Sequence, residues 1–222
     1  MIRLSGITKS YSDGENYINH VLRGVELHIE KSDFVAIKGT SGSGKTTLLS
    51  ILGTLLLPDS GSYLLGGKDM LTASVDYAAV RNKEIGFVFQ EYRLMPQYNA
   101  LENILLPILA YQQKVNAGHE EYARQLMEIT GIPTTSKQYP STLSGGEAGR
   151  VALCRALIMK PLLVLADEPT GQLDAENARN IALLLSKINK VLHTTIVMVT
   201  HSDEVSSVAN KALLLKDGVL NF

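Results

Sequence analysis

Gly39-Thr-Ser-Gly-Ser-Gly44-Lys45-Thr46 has the spacing G-x-x-x-x-G-K-[ST], the pattern of a loop that wraps a polyphosphate. Glycines at 39, 42 and 44 remove Cβ atoms where a backbone must turn tightly and approach a ligand. Lys45 supplies a point charge for terminal phosphates, and the Thr46 hydroxyl can ligate Mg²⁺. Thr40, Ser41, Ser43 and Thr47 complete the set of candidate phosphate-binding residues. The pattern arises by accident in roughly one in a hundred chains of this length, so its flanks matter. Phe34-Val-Ala-Ile37 reads as a buried strand, and Thr47 to Leu57 is apolar on most faces, as a buried helix would be. Strand, glycine-rich turn and helix aim backbone N–H groups and a helix N-terminus at phosphate oxygens. A glycine turn followed by a surface lysine is the bland alternative, and those flanks argue against it.

A second group of reactive residues follows another apolar run. Leu162 to Ala166 reads as a buried strand and ends in Asp167-Glu168, with Pro169 disfavouring helix at Glu168. Carboxylates at the carboxyl end of a buried strand lie where open α/β sheets place their ligands. Asp167 is expected to hold Mg²⁺ through a water, and Glu168 to orient and deprotonate an attacking water. Phosphoryl transfer asks mainly for positioning and charge neutralisation, and Lys45 with Glu168 offers both. Alone, an acidic pair after a core strand would be an ordinary polar loop.

Leu143-Ser144-Gly145-Gly146-Glu147 precedes a helical stretch, Ala148 to Met159. Ser144 as N-cap and Glu147 three residues on form a capping box, which accounts for both of them. Two consecutive glycines in a first helical turn are not accounted for, since each weakens a helix by roughly 1 kcal/mol against alanine. Their presence suggests close approach to the backbone, as by a phosphate at a helix N-terminus.

The elements that must position these groups alternate along the chain. Val25-Glu-Leu-His-Ile-Glu30 alternates in polarity, and turns are expected at Ser12-Asp-Gly14 and Ser60-Gly61, which suits a small antiparallel sheet at the amino-terminal end. Positions from about 91 to 158 carry helical patterns such as Glu120 to Thr130. They are read as an α-helical lobe inserted in the core. Strands at 162–166 and 195–200, a helix near 175–192 and a last strand at 212–215 argue for a parallel sheet with helices on both faces. The expectation is a single α/β domain over residues 1–222.

With these motifs in this order, the chain resembles the nucleotide-binding subunits of ABC transporters over essentially its whole length. Leu143-Ser-Gly-Gly-Glu147 is similar to the family's LSGGQ signature, with glutamic acid in place of glutamine. The resemblance implies a P-loop NTPase (RecA-like) core, ATP and Mg²⁺ as cofactors, and two ATP molecules sandwiched in a head-to-tail dimer. It implies that Ser144, Gly145 and Gly146 cap the ATP held by the partner copy. Glu147 would either repel phosphate or face solvent. By the same resemblance, Tyr11 stacks on adenine, although packing is an alternative for one of nine tyrosines. Gln90, closing Ile85-Gly-Phe-Val-Phe-Gln, would touch Mg²⁺ and link ATP to a membrane subunit. Asp174 in Gly171-Gln-Leu-Asp174 would cross the dimer interface, and His201 after Ile196-Val-Met-Val-Thr200 would contact the γ-phosphate. Glu91-Tyr-Arg-Leu-Met-Pro96, Ala100-Leu-Glu-Asn103 and Asp167-Glu-Pro-Thr-Gly171 are similar to the lipoprotein-releasing and macrolide-exporter subfamily. Tyr92 to Met95 would face the membrane partner.

Composition narrows the functional class. Hydrophobic residues make up 45% and charged ones 19% of 222 residues, which excludes global disorder. A net charge of −1 offers no basic field, so nucleic acid is not an expected partner. The single cysteine, Cys154, permits no internal disulfide and suits a reducing compartment. No apolar stretch reaches the roughly 18 residues of a bilayer span, and Met1-Ile-Arg-Leu lacks a signal-peptide core. The expectation is a cytoplasmic ATPase, peripheral on the inner face of the cell membrane, serving an integral membrane permease subunit. A cell-division-type ATPase, a soluble ATPase acting on DNA or ribosomes, and a regulatory ATP-binding module are the alternatives.

Overall fold

The computed structural model describes residues 1–12, 14, 18–111 and 114–221, so Asp13 of the expected Ser12–Gly14 turn lies outside the described residues. Two long alternating strands, Ile2–Ser12 (β1) and Ile18–Ile29 (β2), pair antiparallel and turn Ile2, Leu4, Val25, Leu27 and Ile29 into the core. Phe34–Lys38 (β3) leads through the glycine loop into Lys45–Leu52 (α1). Ser60–Leu65 (β4) and Lys68–Asp69 (β5) complete a four-stranded antiparallel sheet of order β2-β1-β4-β5.

Tyr77–Lys83 (α2) precedes Ile85–Val88 (β6), and three longer helices follow: Ala100–Ala110 (α3), Ala117–Thr130 (α4) and Gly145–Leu157 (α5). Leu163–Asp167 (β7), Ala175–Leu192 (α6), Thr195–Thr200 (β8), Asp203–Ser206 (α7), Lys211–Lys216 (β9) and Val219–Asn221 (β10) end the chain. The second sheet has the order β10-β9-β3-β8-β7-β6, parallel except for the antiparallel edge strand β10.

The period-two alternation of strand side chains divides the hydrophobic core between the faces of this sheet. Phe34, Ala36, Val164, Ala166, Ile196 and Met198 pack with α3 to α6. Val35, Ile37, Leu163, Leu165, Val197 and Val199 pack with α1 and the antiparallel sheet. All six residues of β8 are buried, as expected for a parallel strand covered on both faces.

Three local expectations are corrected. The helix expected over 47–57 stops at Leu52, and Leu55 and Leu57 are exposed. A Cβ on Gly53 would lie 2.6 Å from the Phe87 ring, and Thr54 turns left-handed (φ 53°), so the chain leaves the helix there. Ser60-Gly61 is not a turn but the start of β4. Gly61 has φ 104°, and a Cβ there would lie 2.7 Å from the carbonyl oxygens of Ser5 and Gly6. The strand expected at 212–215 is one arm of a hairpin, because Asp217-Gly218 turns β9 back as β10, each with positive φ.

Candidate functional site

β3, β8 and β7 lie side by side, with Lys38 level with Thr200 and Val199 level with Asp167. Their carboxyl ends therefore open at one place, the edge where open α/β sheets bind ligands. The glycine loop leaves β3, His201 leaves β8 and Glu168 leaves β7. Between them lies a cavity of about 710 Å³, lined by Ser41, Gly42 and residues 44–47 of the loop and α1, by Glu168 and His201, and by Val21 of β2.

The loop is built as an anion cradle. Gly42 and Gly44 adopt left-handed φ of 77° and 99°. A Cβ on Gly39 would lie 2.6 Å from the Leu215 carbonyl oxygen and against the Ser43 hydroxyl. Six helices, α2 to α7, have an N-cap side chain that accepts a backbone N–H; α1, capped by Gly44, has none. Its first N–H groups are left to a ligand, and the helix dipole favours an anion there. The buried Ser43 hydroxyl also lacks a hydrogen-bond partner. Lys45 is 7% exposed, and its ammonium donates to the carbonyls of Gly39 at 2.8 Å and Thr40 at 3.0 Å. The loop thus stores a positive charge beside open N–H groups, which fits a polyphosphate.

The carboxylates stand opposite. Asp167 is the last residue of β7 rather than the first beyond it. Burial pushes its pKa up and the neighbouring Glu168 adds to this, while Lys45 and Arg93 oppose it. A cation beside this group would restore the preference for the charged form. Among the described residues no cluster of three His, Cys, Asp or Glu side chains forms a metal cage. Mg²⁺ is commonly held by one or two carboxylates with phosphate oxygens, so Asp167 and the Thr46 hydroxyl are a fitting donor set. Glu168 has φ 42°, a strained backbone of the kind found at reactive sites. Its amide donates to the Val199 carbonyl at 3.1 Å, and its Oε2 lies 2.8 Å from His201 Nδ1. Lys45 Nζ is 3.9 Å from its Oε1.

The remaining sequence candidates lie outside this cavity in the same chain. Ser144 caps α5: its hydroxyl accepts from the Glu147 amide at 3.3 Å, and Glu147 accepts from the Ser144 amide at 2.8 Å and hydroxyl at 2.7 Å. These bonds, the hydroxyl first, lower the Glu147 pKa, so its carboxylate is ionised and turned onto its own helix start. Part of the glycine pair is explained within the monomer. A Cβ on Gly145 would lie 3.2 Å from Leu173, whereas one on Gly146 would meet Asn177 at an ordinary 3.5 Å. Ser144 and Gly145 are exposed. Asp174 caps α6 by accepting from the Asn177 amide at 3.0 Å and its side chain at 2.6 Å. The Gln90 amide lies against Gly171, where a Cβ would be 2.8 Å away. Tyr11 is 45% exposed, with Lys9 Nζ 5.9 Å from its ring centre. Val21 is the cavity residue that sequence reasoning missed; a β-branched residue inside a strand carries no local mark of a binding role.

Residues 22–171 match the ABC transporter family profile, and this stretch holds the glycine loop, the α5 start and both carboxylates. The chain belongs to the ABC transporter family. Among ABC proteins it is 42% identical over 221 residues to the lipoprotein-releasing system ATP-binding protein LolD of Pseudoalteromonas translucida, covering 99% of this chain and 94% of that protein. It is 40% identical to the macrolide export ATP-binding/permease protein MacB of Bdellovibrio bacteriovorus, covering 99% of this chain but only 33% of that protein. Its fold matches a dimeric ATP-binding cassette in a post-hydrolysis state bound to ADP and Pi, with a TM-score of 0.88 and 35% identity over 100% of this chain and 97% of that one. The ABC architecture of parallel core, antiparallel sheet and helices is thus the fold of this chain. Among the described residues no helix is long and apolar enough to cross a membrane.

Proposed function

We propose that this chain is the ATP-binding and ATP-hydrolysing subunit of an ABC transporter, and that it powers a separate membrane-spanning partner. The observation that carries the reading is the meeting of Lys45, Glu168 and His201 around the uncapped N-terminus of α1. Tyr11 stacks on adenine. The loop from Gly39 to Thr47 holds the triphosphate through backbone N–H groups, and Lys45 neutralises its terminal charge. Thr46, Asp167 and Gln90 would hold Mg²⁺, which would supply charge neutralisation to the triphosphate. Glu168 takes a proton from the attacking water, and His201 fixes the carboxylate's orientation.

Ser144, Gly145 and Gly146 of a second copy cap the nucleotide, with Asp174 at the shared interface. The exposure of Ser144 and Gly145, away from their own cavity, supports this arrangement, as does the dimeric cassette of the same fold. The likeness to LolD over nearly its full length favours a lipoprotein-releasing type of partner at the inner face of the cell membrane.

Three measurements test the reading. The purified chain should hydrolyse ATP only with Mg²⁺. The Glu168→Gln protein should dimerise on adding ATP, seen as a doubled mass in light scattering. The native chain should copurify with an integral membrane protein. A chain that stays monomeric at saturating ATP while hydrolysing briskly would sink the shared-nucleotide site.

A further inference from the structure

Tyr92 and Arg93, which follow Gln90 closely, both hold left-handed backbone, with φ of 54° and 47°. A Cβ disfavours this conformation, which persists only where the surroundings over-determine it. Arg155, in the helix that starts at Ser144, supplies the constraint. One arm of its guanidinium donates to the Arg93 carbonyl at 2.7 Å and the other to the Tyr92 carbonyl at 2.5 Å. The charge meets backbone oxygens of two successive strained residues, and among the described residues no carboxylate pairs with it.

That clamp seats an aromatic ring at a junction. Tyr92 is 6% exposed, and its ring lies across Gly149 of α5, where a Cβ would be 3.1 Å from Cζ. Its hydroxyl points at the Pro169 carbonyl 3.5 Å away, one residue past Glu168. The next contact along the same loop is Gln90 against Gly171, whose amide in turn donates to the Glu168 carbonyl at 2.9 Å. A helix that begins with the signature residues is therefore joined, through one turn and one ring, to the loop carrying Glu168.

We propose that Arg155 is a positioning residue for ATP hydrolysis: by clamping the Tyr92–Arg93 turn it relays the placement of α5 to Glu168 and Gln90. The proposal rests on the ATPase reading above. Lysine at 155 keeps the charge but lacks the planar fork that bridges two carbonyls. Gly149→Ala removes no functional group and only displaces the Tyr92 ring.

The test compares the parent chain, Arg155→Lys, Gly149→Ala and the double variant. It reads melting temperature, affinity for a fluorescent ATP analogue, kcat and the Mg²⁺ concentration giving half the maximal rate. Each single variant should lower kcat by about tenfold or more, the scale of a misplaced catalytic group. Affinity for the analogue should stay within about twofold of the parent, since the phosphate loop is untouched. The Mg²⁺ requirement should rise as Gln90 shifts, and the double variant should be no worse than the poorer single one, because both act through one contact. Should Arg155→Lys fail to fold, Gly149→Ala carries the same readings. Parental kcat and Mg²⁺ dependence in folded variants would overturn the proposal. So would losses of kcat matched by equal losses of nucleotide affinity. A parent chain that binds ATP without hydrolysing it would overturn the ATPase reading and this inference with it.

Discussion

The Glu168 carboxylate bonds His201 and faces a cation: Oε2 lies 2.8 Å from His201 Nδ1, and Oε1 lies 3.9 Å from Lys45 Nζ. Glu168 and His201 directly follow the adjacent strands β7 and β8, and Lys45 opens α1 beyond the glycine loop that leaves β3, so a small shift of either strand or of the loop would disturb the group. Glu168→Gln should retain ATP binding and lower turnover by roughly 10²–10⁴-fold, the usual loss on removing a general base. His201→Ala leaves the base present but loose and should cost about 10–10²-fold. Single-turnover hydrolysis beside nucleotide titration measures both. Parental turnover in Glu168→Gln would remove Glu168 from the role of base.

Glu147 is ionised and bonded to Ser144, the residue proposed to meet the partner's nucleotide. If that helix start receives the partner's phosphate, as proposed, the Glu147 charge opposes it. Glu147→Gln can keep the capping box while removing that charge. ATP-driven dimerisation of the Glu168→Gln protein should then tighten by up to about fivefold, the equivalent of a helix-terminus charge effect. A dimerisation midpoint that is unmoved or raised would show that this carboxylate does not face the nucleotide.

Asp167 gives a pH-dependent prediction with a definite sign. Burial, aided by Glu168, raises its pKa in the folded chain. Between the ordinary carboxylate pKa, near 4, and the raised value, the folded state binds more protons than the unfolded one. Stability therefore falls as pH rises through that window, and above it the full penalty remains. Asp167→Asn should raise the melting temperature of the nucleotide-free chain at neutral pH by about 2–4 °C, and by less as pH approaches 4. The same variant should lose Mg²⁺-dependent turnover. A lowered melting temperature at pH 7 would mean that attraction to Lys45 outweighs burial.

Gly86 in β6 faces α5 so closely that a Cβ would run into the Ala156 carbonyl. Neither partner is a flexible side chain, so β6 or α5 must shift. Gly86→Ala should destabilise by at least about 1–3 kcal/mol, the cost of overpacking. Gly118, exposed in the first turn of α4 with its nearest neighbour at 3.4 Å, is the control. Alanine there should be neutral or stabilise by up to about 1 kcal/mol. Urea midpoints of the two variants compare them directly, and equal midpoints would refute the clash.

Features encoded over a few neighbouring residues were legible in the chain. The glycine spacing from 39 to 46 marks the phosphate loop, Ser144 and Glu147 mark a capping box that is present, and the helix at 175–192 has the expected bounds. Where expectation failed, a contact from elsewhere in the chain had intervened. Phe87 presses on Gly53 and the helix ends early; the β1 carbonyls need Gly61 in a strand. The β9–β10 hairpin does carry a local mark, the turn pair Asp217-Gly218.

The amino-acid order by itself determined which groups could do chemistry: a lysine behind a glycine loop, two carboxylates after an apolar run, a histidine after another. Those are short-range patterns, and backbone sterics and hydrogen-bond valence act at that range. Only the tertiary structure decided that β8 runs between β3 and β7, bringing His201, Lys45 and Glu168 together, and that Arg155 grips the turn beyond Gln90. Strand order and register come from burial on both faces of a shared sheet, a property of the packed chain that no single segment carries.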